Sequence, residues 1–110
     1  MHTEYLKQLI SYLETTQIYK ADKTPCKNYE EAMQKLVGLF SQIKKNEKQV
    51  FFIGNGGSAA IASHMTADFM KNGGMKTYSL YDNSVTTCMG NDYGYEYIFS
   101  RPLEFLGNKG

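Results

Sequence analysis

The fold of this chain is decided by the stretch Val50-Phe51-Phe52-Ile53-Gly54-Asn55-Gly56-Gly57-Ser58-Ala59-Ala60. Its first four residues are apolar, β-branched or aromatic, which predicts a strand buried on both faces, as in a parallel sheet. The glycines that follow predict a tight turn, and residues 59–70 look helical up to a stop at Gly73-Gly74. Residues 75–81 predict a second strand. Strand, glycine turn, helix and strand together indicate one βαβ unit.

Two helices are predicted before this unit. Residues 4–20 carry apolar side chains at helical spacing, which indicates an amphipathic helix that the segment 20–27, with Pro25, interrupts. Asn28 precedes Glu31 by three residues, which predicts an N-cap and a capping box at the start of the second helix. The apolar stripe predicted for that second helix comprises Ala32, Met33, Leu36, Val37, Phe40 and Ile43.

After the βαβ unit, residues 84–106 predict shorter helical pieces, with turns at Gly90-Asn91-Asp92 and at Gly94. Residues 107–110 predict a turn that leads into another strand. Two strands alone make a marginal sheet, and a parallel sheet needs neighbours on both faces. We therefore expect the front part of a three-layer α/β/α domain with a parallel sheet, either truncated or covered by a partner chain.

Composition restricts the class of protein. The 110 residues carry 12 Lys+Arg against 11 Asp+Glu, and this balance predicts no nucleic-acid partner. A membrane-spanning helix needs about 20 predominantly apolar residues, and every apolar run in this sequence is much shorter, so no membrane partner is expected. The N-terminus lacks the features of a signal peptide, which favours a cytoplasmic protein in which Cys26 and Cys88 are reduced thiols.

The glycine turn has a chemistry of its own. A turn between a strand and a helix presents backbone N–H groups and the positive helix end, an arrangement that binds phosphate. Gly56 and Gly57 allow close approach of a ligand, and Ser58 is predicted to cap the helix and donate its hydroxyl. The spacing is neither a nucleotide P-loop nor Gly-x-Gly-x-x-Gly, because Ala59 occupies the last position. A turn that needs glycines for its backbone alone is the other interpretation.

Two separated blocks resemble the sugar isomerase (SIS) domain family, and within it the phosphoheptose isomerase branch. The first runs from Phe52 to Ala60 and is followed by His64; the second runs from Cys88 to Tyr95 and on to Arg101. The resemblance covers most of the chain. It implies an isomerase that converts D-sedoheptulose 7-phosphate to D-glycero-D-manno-heptose 7-phosphate, for heptose in lipopolysaccharide or capsule.

The resemblance also implies site residues. Those that would bind the sugar phosphate are Asn55, Gly56, Gly57, Ser58, Asp68, Asn91 and Asp92. His64 matches a zinc ligand of the family, and Asp68 stands where the family has a glutamate that ligates zinc and acts as the catalytic acid–base. Isomerisation needs a base to move a proton between adjacent carbons and a positive group to stabilise the ene-diolate. The shorter Asp68 is expected to weaken or alter that chemistry, because a misplacement of about 1 Å can cost about 100-fold in rate.

Residue-level alternatives stay open. His64 alone could be a helix histidine with local hydrogen bonds, Asp68 a solvated carboxylate, and Asn91 with Asp92 simple turn residues. The tyrosines between residues 78 and 97 are expected to serve packing and interfaces. They are Tyr78, Tyr81, Tyr93, Tyr95 and Tyr97.

The whole chain is predicted to be the N-terminal part of a single SIS domain. Residues 1–48 form a helical oligomerisation segment and residues 49–110 the first βαβ unit with its following helices. The resemblance implies a homo-oligomer, a dimer or tetramer. It also places the remaining metal ligands beyond Gly110, so the 110-residue chain by itself is expected not to isomerise a sugar. The alternative function is a non-catalytic SIS module that binds sugar phosphates or regulates a protein partner.

Overall fold

A computed structural model describes residues 1–108 of the chain; Lys109 and Gly110, which belong to the predicted final turn, lie outside the described residues. The elements are α1 (His2–Thr15), α2 (Tyr29–Lys45), β1 (Gln49–Phe52), α3 (Gly57–Lys71), β2 (Lys76–Ser79), α4 (Asn83–Tyr93), a 3₁₀ turn (Tyr95–Tyr97) and α5 (Ser100–Leu106). The chain divides into two compact units, Met1–Phe40 and a second that begins at Ser41. Within residues 1–108, no helix combines the length and the apolar character needed to cross a membrane.

The second unit is built on a pair of parallel strands. Gln49 of β1 lies opposite Lys76 of β2, and the register continues to Phe52 opposite Ser79. Helix α3 connects the two strands, as a parallel pair requires. This confirms the predicted βαβ unit and the α/β class with a parallel sheet. Both strands end earlier than the sequence pattern predicted, since β1 stops before Ile53 and β2 before Leu80.

A buried threonine pair joins α3 to β2. The Thr77 hydroxyl donates to the Thr66 carbonyl at 2.8 Å, and the Thr66 hydroxyl donates to the Ala62 carbonyl at 2.9 Å. Thr77 is only 1% exposed, so its hydroxyl has to find a partner inside the protein. Between α3 and β1, the rings of Phe69 and Phe52 lie 5.1 Å apart. Apolar contact and satisfied hydroxyls together hold the helix on the strands.

The strands are less buried than the sequence predicted. All four residues of β1 are half-buried, and Ile53, which was predicted within the strand, lies after it and is 42% exposed. Phe51 stacks on Tyr78 of β2 with ring centres 5.6 Å apart. The prediction of a strand buried on both faces is therefore wrong for the described residues. The physical reason is that full burial requires flanking strands and layers, whereas the sheet within residues 1–108 has two strands.

Helix α4 corrects another prediction. The Asp82 carboxylate caps it by accepting from the Val85 N–H at 2.9 Å, and it continues to Tyr93. The predicted turn at residues 90–92 is wrong, because those residues lie inside the helix. The turn at Gly94 is confirmed, with a φ of 107° that glycine readily adopts. Gly90 instead lies against Ile98, whose Cγ2 would be 3.5 Å from an added Cβ.

Helix α1 ends five residues before its predicted boundary at residue 20. It stops at Thr15, and Thr16 is already extended. The Thr15 hydroxyl donates to the Ser11 carbonyl at 2.8 Å and the Thr16 hydroxyl to the Tyr12 carbonyl at 2.7 Å. Threonine hydroxyls compete in this way for helix carbonyls and favour the end of a helix.

The start of α2 confirms the predicted N-cap at Asn28, but the reciprocal bond of the predicted capping box goes to the Lys27 N–H and not to the Asn28 N–H. The Glu31 N–H donates to the Asn28 side-chain oxygen at 2.9 Å, and the Glu31 carboxylate accepts from the Lys27 N–H at 2.7 Å. Lys20 and Lys35 lie 3.7 and 3.5 Å from the same carboxylate. The Lys27 N–H, and then these two cations, lower the pKa of Glu31.

The predicted apolar stripe of α2 is buried in part only. Ala32 is buried and Met33, Phe40 and Ile43 are half-buried, but Leu36 is 42% and Val37 65% exposed. Periodicity identifies which residues share a helix face, whereas burial depends on what covers that face.

We expect Glu31→Gln to reduce the helix content at neutral pH and to make the helix content less dependent on pH in the acid range. A lowered pKa means that the carboxylate stabilises the fold above its ordinary value of 4.5, and that this stability is lost as the pH falls through the lowered value. The far-ultraviolet circular dichroism signal between pH 7 and pH 2 measures this. Glu14→Gln, on the exposed end of α1, is the control; equal acid profiles for the two variants would contradict the assignment.

Candidate functional site

The turn after β1 has a backbone that its glycines permit. Gly56 has a φ of 57° and a ψ of −123°, and α3 begins at Gly57. Ser58 was predicted to cap this helix, and that prediction is wrong, because Gly56 is the cap residue and no side chain caps the helix. Ser58 lies inside the first turn, and its N–H donates to the Asn55 carbonyl at 3.0 Å.

Gly54 is required by a close approach of the chain to itself. A Cβ at this position would lie 2.7 Å from the Cβ of Ser58 and 2.8 Å from its carbonyl carbon. Contacts this short do not occur, so the helix can fold back over the strand end only if residue 54 has no side chain. At Gly57, by contrast, an added Cβ would meet nothing within 4 Å.

Several backbone amides of the turn are open to a ligand. In the described part of the chain, the N–H groups of Asn55, Gly56 and Gly57 donate to no protein acceptor, whereas those of Ser58 and Ala59 bond to carbonyls of the turn itself. All residues from Asn55 to Ser58 are exposed. Open amides at the positive end of a 15-residue helix form an arrangement that attracts an anionic group.

His64 and Asp68 form a pair on α3. His64 Nε2 lies 3.3 Å from Asp68 Oδ2, and the side chains are 73% and 41% exposed. Their four-residue spacing places them on one face, together with Ile61 and Gly57 one and two turns nearer the glycine turn. His64 is about 10 Å along the axis from Gly57, because each residue rises by about 1.5 Å. Helical side chains also lean toward the N-terminus and hence toward the turn.

The separation of this pair suits two ligands of one metal ion. Nitrogen and oxygen ligands of a tetrahedral zinc ion lie about 3.4 Å apart, because each bond is about 2.1 Å long. His64 and Asp68 match that spacing, although an ordinary ion pair has it too. Zinc sites use three or four protein ligands. Residues 1–108 contain no group of three or more His, Cys, Asp or Glu side chains that could hold a metal, so the pair fits part of a zinc site.

Asn91 and Asp92 lie in the last turn of α4 and are exposed. The Asn91 amide donates to one oxygen of Asp92 at 3.4 Å and the Cys88 thiol to the other at 3.4 Å. The hydrogen bond to Asp92, and then its negative charge, raise the pKa of Cys88. Across residues 1–108, no hydrogen bond or ion pair joins this cluster to the glycine turn or to His64. The hydrogen bonds of the described residues therefore connect Asn91 and Asp92 to each other but not to the site residues of the glycine turn and α3.

Sequence reasoning missed two contacts of the tyrosines. Tyr81 donates its hydroxyl to the Gly54 carbonyl at 3.0 Å, at the start of the glycine turn. The Arg101 guanidinium lies 4.8 Å from the ring centre of Tyr93, 5.9 Å from that of Tyr97, and 2.7 Å from the Glu104 carboxylate. The Arg101–Glu104 pair has a helical spacing that the sequence shows; the Tyr81 bond spans 27 residues and leaves no local signal.

Several curated proteins named phosphoheptose isomerase are similar to this chain. The chain is 41% identical over 85 residues to a phosphoheptose isomerase of Helicobacter hepaticus. This alignment covers 72% of this chain and 43% of that protein. It is 32% identical over an alignment of 116 residues to the phosphoheptose isomerase of Geobacter metallireducens, covering 100% of this chain and 58% of that protein. The chain thus spans about half the length of the curated relatives it matches. No protein-family model matches it.

A solved structure gives the same result for the fold. The phosphoheptose isomerase GmhA from Neisseria gonorrhoeae matches with a TM-score of 0.55 and 34% sequence identity, over 72% of this chain and 47% of that one. This level of identity and structural similarity supports common ancestry as well as a common fold.

Gly54→Ala is expected to reduce the free energy of unfolding by about 1–3 kcal/mol, the range for overpacking a closely packed position. The cause is the clash of the new methyl group with Ser58. Gly57→Ala adds the same methyl group in open space and is the matched control. Urea unfolding of both variants measures the difference, and equal stabilities would contradict the close approach.

Asp92→Asn is expected to accelerate alkylation of Cys88 by iodoacetamide at pH 7.5. Removal of the negative charge returns the raised thiol pKa toward its ordinary range, so more of the reactive thiolate is present. The rate is followed by mass spectrometry in a Cys26→Ser background. An unchanged rate would show that Cys88 and Asp92 do not interact in solution.

Proposed function

This chain belongs to the sugar isomerase (SIS) family, in its phosphoheptose isomerase branch, and on that premise we propose that the protein interconverts D-sedoheptulose 7-phosphate and D-glycero-D-manno-heptose 7-phosphate. One observation carries the proposal. The open amides of the glycine turn lie at the N-terminal end of α3, and the His64–Asp68 pair lies further along the same helix, on the face that leads away from Gly57. An anion-binding element and a proton-transferring carboxylate are what such an isomerase needs.

The glycine turn would hold the sugar phosphate. Asn55, Gly56 and Gly57 offer amides without protein acceptors, and the Ser58 side chain lies beside them. These donors act together with the positive end of α3, which favours a negatively charged ligand. Asn91 and Asp92 would line the same site from α4.

Asp68 would move the proton. Its carboxylate takes a proton from C1 of the ketose, which leaves an ene-diolate across C1 and C2, and returns a proton to C2. A hydroxyl proton moves from O1 to O2, so the carbonyl passes from C2 to C1 and no atom is gained or lost. His64 Nε2 lies 3.3 Å from Asp68 Oδ2, and this contact positions the carboxylate on the exposed face of α3.

His64 and Asp68 would also hold a zinc ion, since their separation matches two ligands of one tetrahedral ion. Zinc, when bound, would supply positive charge that stabilises negative oxygens of the substrate. The two side chains would then serve as ligands and, in the case of Asp68, as the base.

Three further expectations accompany this function. The product would supply heptose for lipopolysaccharide or capsule, and the reaction would take place in the cytoplasm. The protein would be a homo-oligomer, a dimer or tetramer. The exposed apolar side chains of α1 support association: Leu9 is 44% and Leu13 69% exposed.

A non-catalytic SIS module is the second candidate. It is favoured by Asp68, which stands where the resemblance places a longer glutamate, and by the pairing of His64 and Asp68 with no third candidate ligand grouped beside them in residues 1–108. Such a module would bind a sugar phosphate through the glycine turn or regulate a protein partner.

Asp68→Asn is expected to lower turnover by about 100-fold or more while sugar-phosphate binding persists, because a positioned base contributes about 10²–10⁴-fold. Two forms are assayed. The 110-residue chain is expected to bind D-sedoheptulose 7-phosphate without converting it. A fusion that completes the chain with the unmatched part of the Helicobacter hepaticus relative is expected to convert it. Glu14→Gln, which removes a carboxylate on α1, is the control.

The outcomes separate the two candidates. Turnover by the fusion that Asp68→Asn abolishes and Glu14→Gln does not would support the isomerase. Binding without turnover by the fusion, with equal affinity in the parent fusion and in its Asp68→Asn variant, would favour the non-catalytic module. A chain and a fusion that bind no sugar phosphate would overturn both.

A further inference from the structure

The hydroxyl of Tyr81 extends the parallel register beyond the last strand pair. Gln49 is paired with Lys76, an offset of 27 residues, and the ladder ends with Phe52 opposite Ser79. The Tyr81 hydroxyl donates to the Gly54 carbonyl at 3.0 Å with the same offset of 27. A side chain thus makes a link between in-register residues at a place where the backbone ladder has already stopped.

This bond determines the orientation of the first peptide of the glycine turn. The carbonyl of Gly54 and the N–H of Asn55 belong to one planar trans peptide and point in opposite directions. When Tyr81 holds the carbonyl, it also fixes the direction of the Asn55 N–H, the first of the open amides. Gly54 has no side chain to restrain its own backbone, so an external restraint has a large effect here.

Tyr81 is itself held from two sides. Its ring meets the ring of Phe99 edge to face, with centres 6.2 Å apart. The next residue, Asp82, caps α4 through the Val85 N–H at 2.9 Å. The phenol is partly buried, which makes its hydrogen bond stronger than one in open water. The ring is therefore anchored by the segment that follows β2, and its hydroxyl reaches back to the turn.

From this geometry we infer that Tyr81 is a positioning residue for the substrate-binding turn. It touches no reacting atom, and it acts by holding the Gly54–Asn55 peptide so that the amides from Asn55 to Gly57 keep one direction. The effect of Tyr81 on ligand binding rests on the proposed function, whereas its effect on the orientation of the Gly54–Asn55 peptide does not. This goes beyond the role that the sequence predicts for Tyr81, which is packing and interfaces.

Tyr81→Phe tests the inference, because it removes the hydroxyl and keeps the ring against Phe99. In the 110-residue chain without ligand, we expect faster hydrogen exchange, measured by NMR, at the amides of Ser58 and Ala59, whose N–H groups are hydrogen-bonded within the turn. We also expect about three- to tenfold weaker binding of D-sedoheptulose 7-phosphate, the loss that one neutral hydrogen bond produces. Tyr95→Phe removes a hydroxyl from a residue that is 67% exposed and is the matched control.

The two readouts keep the inference separate from the proposed function. Faster exchange and weaker binding in Tyr81→Phe, with Tyr95→Phe like the parent, support both. A parent that binds sugar phosphate while Tyr81→Phe matches it in exchange and affinity overturns the inference and leaves the proposed function standing. If neither the parent chain nor the fusion binds sugar phosphate, the proposed function is refuted, and the amide exchange of Ser58 and Ala59 still decides whether Tyr81 holds the turn.

A second measurement needs no substitution and applies if Tyr81→Phe does not fold. In the parent chain at low temperature, the Tyr81 hydroxyl proton is expected to exchange with water more slowly than that of Tyr95, because it is bonded to the Gly54 carbonyl. Equal exchange of the two hydroxyl protons would overturn the inference.

Discussion

The parallel pairing of β1 with β2 is the constraint on which the site depends. Parallel strands place their carboxyl ends at the same edge of a sheet, so the residues that follow each strand emerge side by side. The glycine turn follows β1 at that edge, and Tyr81 follows β2. A change in the register of this pair would carry Tyr81 away from Gly54 and leave the first peptide of the turn without its restraint.

Steric exclusion then selects the residues of the turn. Gly54 is needed because Ser58 folds back onto it, and Gly56 because its φ is positive. Gly57 meets neither condition, since an added methyl group has room there and no positive φ is required. Under the proposed function, the missing side chain at Gly57 leaves room for the ligand to approach the backbone. Glycine therefore occurs at these three positions for different physical reasons, although the three residues look alike in the sequence.

The chemical groups of the proposed site come from two helices with different support. On α3, the buried Thr66 face packs on β2 and leaves His64 and Asp68 on an exposed face below the turn. On α4, Asp92 is held by its own neighbours, Cys88 and Asn91. Each group is organised by contacts within one helix. The glycine turn differs, because its geometry is set by a contact from another element.

The sequence by itself determined what short covalent spacing controls. The N-cap of α2 at Asn28 and the shared helix face of His64 and Asp68 follow from residues three or four apart, because the distance between such residues in a helix is nearly constant. The glycine turn follows from adjacent glycines in the sequence. Only the tertiary structure decided the burial of the apolar stripes, the unbroken course of α4 through residues 90–92, and the bond from Tyr81 to Gly54. These depend on which surfaces meet after residues far apart in the chain are brought together, and local pattern carries no record of that.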